Sequence, residues 1–242
     1  MPYSRAELAA RNNAAWCDAV CRAHGVAGEF HDGLWLNRHP VPRFYPNVVT
    51  LSNQDGLAQI RALSADLPGS WSIKDSFSSL NLAPLGFRSL FEAMWLWRAP
   101  SRPLQSPVVS GLRWTCIQGT SELMEWETAW NEDPTQQPSA GQPPLFLPAL
   151  LADPEILFIG AYQDHRLVAG AIANHTDGVV GLSNVFVPAG DPGPFWAGCV
   201  AMVHERFPGL PLVGYESRPE SAIAQQIGFE LLQPLKVWIR QG

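Results

Sequence analysis

The chain has 242 residues with a formal net charge of −6, enough for one or two domains with substantial cores. Apolar residues reach 46% and charged residues only 16%, which excludes a disordered polyelectrolyte. The acidic balance, with no basic run anywhere, excludes a nucleic-acid groove, which needs a positive stripe. No stretch approaches the roughly 20 continuous apolar residues of a membrane span, and Arg5, Glu7 and Arg11 stand where a secretory signal would be apolar. A cytoplasmic protein is expected, its four cysteines too few for a disulfide scaffold.

Ser4 and Glu7 precede Leu8, Trp16, Ala19 and Ala23 at helical spacing, the pattern of a capping box opening an amphipathic helix. Gly25 and Gly28 end it. Cys17, Cys21 and His24 share one face of that helix, but a zinc site needs a fourth ligand, so small buried thiols are the expectation. Residues 33–38 and 44–51 read as strands split by a Pro40/Pro42 corner. Asn53 is placed to cap a helix with Leu57, Ile60, Leu63 and Leu67 on its apolar face, stopped by Pro68-Gly69. A strand over 71–75, a short helix, and a Trp-rich strand opened by Gly86-Phe87 follow. Three prolines between 100 and 107 then read as an extended linker, dividing the chain into halves at 1–105 and 106–242.

In the second half, 111–118 reads as a strand, and Leu123, Trp126 and Trp130 mark a helix. Residues 133–148 form a Pro/Gln/Ser-rich loop long enough to cover a site. Strands at 156–162, 167–174 and 179–187 are joined by turns at 163–166 and Asp177-Gly178. A helix carrying Trp196, Cys199, Val203 and Phe207 runs to Pro208-Gly209. A strand over 211–216 leads to a second capping box, Ser217 to Glu220, and Gly228-Phe229 opens the last strand. Antiparallel strands followed by strand–helix–strand crossovers imply a mixed sheet covered by helices. The order helix, Pro-Gly, strand, short helix, Gly-Phe, strand occurs in both halves, which implies a duplicated fold.

Two runs carry a resemblance: Leu157-Phe158-Ile159-Gly160-Ala161-Tyr162 with Leu167-Val168-Ala169-Gly170, and Gln225-Gln226-Ile227-Gly228-Phe229-Glu230. In order and spacing they resemble the second and third strands and the helix-to-strand signature of the GCN5-related N-acetyltransferase (GNAT) superfamily. Residues 111–242 carry it; the first half resembles a reduced, diverged copy. The fold implied is α/β, as two GNAT-like mixed-sheet halves with the C-terminal one more complete. The cofactor implied is acetyl-CoA or another acyl-CoA as co-substrate, and the partner a small-molecule amine or peptide acceptor, with neither nucleic acid nor membrane.

By the same resemblance the thioester arm would run along Phe186 and Val187. The pyrophosphate would meet the backbone at Gly193, Phe195, Trp196 and Ala197, where a helix begins after the central strand. The sequence departs from the family there: Pro192 and Pro194 lack N–H donors, and Asp191 adds a negative charge. Ala224 stands where the family often has a catalytic Tyr. Glu216, Tyr215 and His175 are therefore the available proton-handling groups. His175 also reads as an exposed hairpin residue, Glu216 as the entry to the capping box, and Tyr215 as core. Two functions stay open: acyl transfer from CoA to an amine, or a catalytically inactive tandem module that binds or assembles.

Overall fold

The computed structural model describes residues 3–53, 56–67, 69–104, 111–131 and 143–241. Ser4 does cap helix α1 (Arg5–Ala23): its Oγ accepts from the Glu7 N–H while the Glu7 carboxylate accepts from the Ser4 N–H, satisfying two otherwise orphaned donors. Then come β1 (Glu29–Phe30), β2 (Leu34–Leu36), β3 (Val48–Thr50), α2 (Leu57–Asp66), β4 (Trp71–Asp75), a 3-10 turn at Ala83–Leu85, and β5 (Arg88–Arg98). They are followed by β6 (Arg113–Cys116), α3 (Thr120–Asn131), a 3-10 turn at Pro148–Ala152, β7 (Ile156–Gln163), β8 (Arg166–Thr176), β9 (Val179–Phe186), α4 (Gly193–Arg206), β10 (Leu212–Glu216), α5 (Arg218–Gln226) and β11 (Glu230–Arg240). Among the described residues no helix is long and apolar enough to cross a membrane.

Several local expectations change. The strand expected over 44–51 shortens to β3, because Phe44 takes a left-handed backbone (φ 70°) and Pro46 has no N–H for a ladder. Gly56, not Asn53, caps α2; a side chain at Gly56 would crowd the Leu34 side chain, 2.8 Å from its Cβ position. Ser217 is the N-cap of α5, yet its hydroxyl makes no capping bond. Most of the linker and of the 133–148 loop, at 105–110 and 132–142, lies outside the described residues.

All eleven strands form one sheet in the order β1-β2-β3-β4-β11-β5-β10-β9-β8-β7-β6. Two neighbouring pairs are parallel, β3 with β4 and β9 with β10; the rest are antiparallel. The last strands cross over: β5 lies between β10 and β11, and β11 between β4 and β5. Gly86 (φ 83°) and Gly228 (φ 96°) each turn the chain just before one of these strands, in a conformation that costs an L side chain.

Helices α1 and α3 cover one face. There Trp16, Cys17 and Val20 meet Trp126, Phe146, Phe158 and Phe186 in one cluster. Trp126 is fully buried and donates to the Ile159 carbonyl at 2.8 Å; truncating such an indole costs about 3–5 kcal/mol. Helices α4 and α5 cover the other face of β7–β10, and α2 that of β2–β4. Trp95 and Trp97 on β5 pack beside Val213 and Val237 under α1, whereas Trp71 packs edge-on against Phe87. Buried Arg98 ties the end of β5 to the C-terminal elements, donating to the carbonyls of Ile227 (3.0 Å) and Arg102 (2.6 Å) and to His204 Nε2 (2.8 Å). Burial and the Arg98 guanidinium together lower the His204 pKa.

Candidate functional site

The parallel pair β9–β10 is joined over a short length only. Leu212 pairs with Val180 and Val213 with Gly181, and then the strands diverge. Residues 212–216 of β10 all keep their partners on β5, so it is β9 that bends away. The cause is local. Ile172 of β8 faces Ser183, but Gly170 faces Phe186, so β9 holds one residue more than its partner, a β-bulge. Asn184 sits inside it at φ 52°, a conformation that Asn tolerates better than most residues. Gly214 permits the last close approach, since a Cβ there would lie 2.8 Å from the Leu182 carbonyl oxygen.

The divergence opens a cleft of about 1000 Å³ that passes through the sheet. On the α4/α5 side it is lined by Trp196, Pro192 and Ile223, and on the α1 side by Asn12, Asn13, Trp16 and Cys17. Residues 187–190, Ser183 and Asn184 form one wall, and Gly214, Tyr215 and Glu216 the other. The Ser183 Oγ is buried without a hydrogen-bond partner, an orphan that a ligand can satisfy. Helix α1 is held against this opening by a reciprocal pair: the Asn12 side chain donates to the Asn174 carbonyl (2.8 Å), and that of Asn174 to the Asn12 carbonyl (3.1 Å). Gly181 makes room for both side-chain oxygens.

Of the expected proton-handling residues, Tyr215 and Glu216 line the cleft. Glu216 is the one carboxylate among the described lining residues, and Lys74 the one Lys or Arg. His175 does not line it. It stands at the far end of β8, its Nδ1 paired with the Glu155 carboxylate and its ring against Phe207. Cys17 reaches the wall, but burial pushes its thiol up to about 11 and that of Cys21 up to about 12, so neither is a nucleophile near neutrality.

The expected cofactor residues divide in the same way. Val187 and Trp196 line the cleft. Phe186 is not among the lining residues; its ring turns into the core, edge-on to Trp126 at 5.2 Å. Ala197 is fully buried, and Gly193 and Phe195 are not among the lining residues.

The first turn of α4 has few donors to offer. Pro192 and Pro194 have no N–H. The Gly193 N–H donates to Asp191 Oδ1 at 3.0 Å, and those of Phe195 and Trp196 share the Pro192 carbonyl at 3.1 Å each. A carboxylate of the chain itself thus occupies the place that a bound anion takes at a helix N-terminus. Measured against acyl-CoA, the cleft fits a thioester arm through its bulged strand and the orphan Ser183 hydroxyl. The helix end does not fit the pyrophosphate. Sequence reasoning did not single out Lys74 or Asn13, and it noted Ser183 and Asn184 only as the polar residues of the central strand.

No protein-family model matches the chain, and no curated protein matches it. Solved structures do. A GCN5-related N-acetyltransferase from Kribbella flavida is 16% identical, with a TM-score of 0.65 over 97% of this chain and 96% of its own. Another from Sphaerobacter thermophilus is 13% identical, with a TM-score of 0.55 over 97% of this chain and 93% of its own. A tandem GNAT protein from the clavulanic acid biosynthesis pathway, solved without AcCoA, is 13% identical at a TM-score of 0.54 over 86% of this chain and 78% of its own. Identities this low establish the fold alone: a mixed α/β fold of the GNAT type.

Proposed function

We propose that this chain is a GNAT-type acyltransferase that moves an acyl group from a thioester to an amine in the β9–β10 cleft. The observation that carries the reading is the bulged, diverging β9, which leaves backbone groups and the Ser183 hydroxyl free beside an open slot. The donor arm enters from the α4/α5 side and the amine from the α1 side. Glu216 is assigned the proton leaving the amine, and Tyr215 the return of a proton toward the departing sulfur. Transfer of this kind forms one C–N bond and breaks one C–S bond, and general-base help contributes about 10²–10⁴-fold.

The chain's two halves, 1–105 and 106–242, are read as diverged copies that exchange their last strands. Support comes from the matching order parallel pair, antiparallel neighbour, left-handed Gly at Gly86 and Gly228. A second reading, a binding module without transfer, is favoured by one observation, the Asp191–Gly193 contact at the helix end.

Titration calorimetry with acetyl-CoA separates the two. The transferase reading expects weak binding, in the sub-millimolar to millimolar range, because the arm is held and the pyrophosphate is not. Absence of binding at millimolar acetyl-CoA defeats it and leaves the binding module.

A further inference from the structure

Lys74 is only 4% exposed, yet it is among the residues that line the cleft. Nζ donates to Asn13 Oδ1 at 2.7 Å and lies 4.2 Å above the centre of the Tyr215 ring. A lysine has three donors, and the one hydrogen bond to Asn13 leaves the others for a ligand. No carboxylate forms an ion pair with it among the described residues. Asp75, its chain neighbour, accepts instead from the N–H groups of Phe77, Ser79 and Leu80. Asp18, on α1, is engaged by Gly28, Trp35 and Arg22. A buried charge without a counter-charge is costly to fold, so the arrangement makes sense where a ligand supplies the missing anion.

Position adds to this. β4 lies three strands from β10 in the sheet, roughly 14 Å at the usual strand spacing. The side chains of Lys74 and Tyr215 close that distance, setting the ammonium over the Tyr215 ring at the wall of the cleft. Phe91, Trp95, Trp130 and Leu145 add apolar surface to the same cleft. Ser72, two residues before Lys74 and so on the same face of β4, adds a hydroxyl to the lining.

We propose that Lys74, with Asn13, binds the carboxylate of a small acceptor that has an apolar body. The word acceptor rests on the transferase reading; the carboxylate site rests on Lys74 itself. The test compares 3-phenylpropanoate with 3-phenylpropanamide, probes of one shape and different charge, by calorimetry without acetyl-CoA. The wild-type protein is expected to bind the acid at least tenfold more tightly than the amide. Lys74→Met is expected to lose that preference while its melting temperature rises by about 2–4 °C, the shift that accompanies relief of a modestly unfavourable buried charge. Lys74→Gln, which keeps a donor for Asn13, loses the preference as well and serves if the methionine variant fails to fold. Equal binding of acid and amide by the wild type, or a preference that survives both substitutions, overturns the proposal. Acid preference without acetyl-CoA binding defeats transfer and leaves the carboxylate site standing. Acetyl-CoA binding without acid preference does the reverse.

Discussion

One sheet contains two parallel strand pairs, and they are treated differently. β3–β4 is closed along its length. The Asn47 N–H donates to the Ser72 carbonyl, Val48 and Val49 pair with Ile73 and Lys74, and the Thr50 hydroxyl accepts from the Ser76 N–H at 2.8 Å. β9–β10 starts in the same way, with the Val180 N–H on the Pro211 carbonyl and two paired positions. It then opens at the Asn184 bulge. A side-chain hydroxyl continues the closed pair where the backbone ladder stops, whereas an inserted residue ends the open one. The slot follows from these local choices rather than from the topology, which both pairs share.

Disturbing the open pair at its cover should have the largest effect. In Gly181→Val the new side chain meets the Asn12 and Asn174 oxygens, separating α1 from β8 and β9. Overpacking plus a lost buried hydrogen bond predicts a loss of about 4 kcal/mol, measured by urea denaturation. Wild-type stability in this variant would mean that α1 is not seated as described. At the closed pair, Thr50→Val keeps the shape and removes the hydroxyl that accepts from the Ser76 N–H. The Ser76 N–H is buried, so about 1–2 kcal/mol is expected, with acetyl-CoA binding unchanged. An effect on binding there would break the distinction between the pairs.

The smallest predicted change is at the helix that follows the open pair. Asp191→Ala frees the Gly193 N–H and removes a negative charge. Affinity for acetyl-CoA should rise by about threefold, in line with the few tenths to one kcal/mol typical of a charge at a helix end. A fall in affinity on calorimetry would show that Asp191 supports the ligand instead of competing with it.

Much of this architecture was legible in residue patterns, and the exceptions have physical causes. The Ser4–Glu7 capping box, the turns that join β7 to β8 and β8 to β9, and the Gly-Phe turns depend on neighbours within a few residues, and they were read correctly. Asp191 was read as a repulsive charge; its bond to a backbone N–H two residues on is a common use of Asp. Lys74 was invisible because Trp71-Ser72-Ile73-Lys74-Asp75 alternates as a half-solvated strand would. What buries it is α1, some sixty residues earlier in the sequence.

The place of His175, off the cleft, depends on a register that the sequence does not show. Counting back from the Gln163–Arg166 pair puts it opposite Pro154, but a register shift between Ala161 and Tyr162 brings it to Glu155. That register sets the His175 ring beside the Glu155 carboxylate, away from the cleft. The bulge in β9 was equally hidden, although its residue type, Asn, is one that accepts a left-handed backbone.

Backbone amide exchange followed with and without acetyl-CoA tests the central claim most directly. If the β9–β10 opening is where the thioester arm lies, amides from Ser183 to Val187 slow when acetyl-CoA is added, while those from Val48 to Leu51 in the closed pair do not change. Protection confined to other regions, or equal protection in both pairs, would contradict the account.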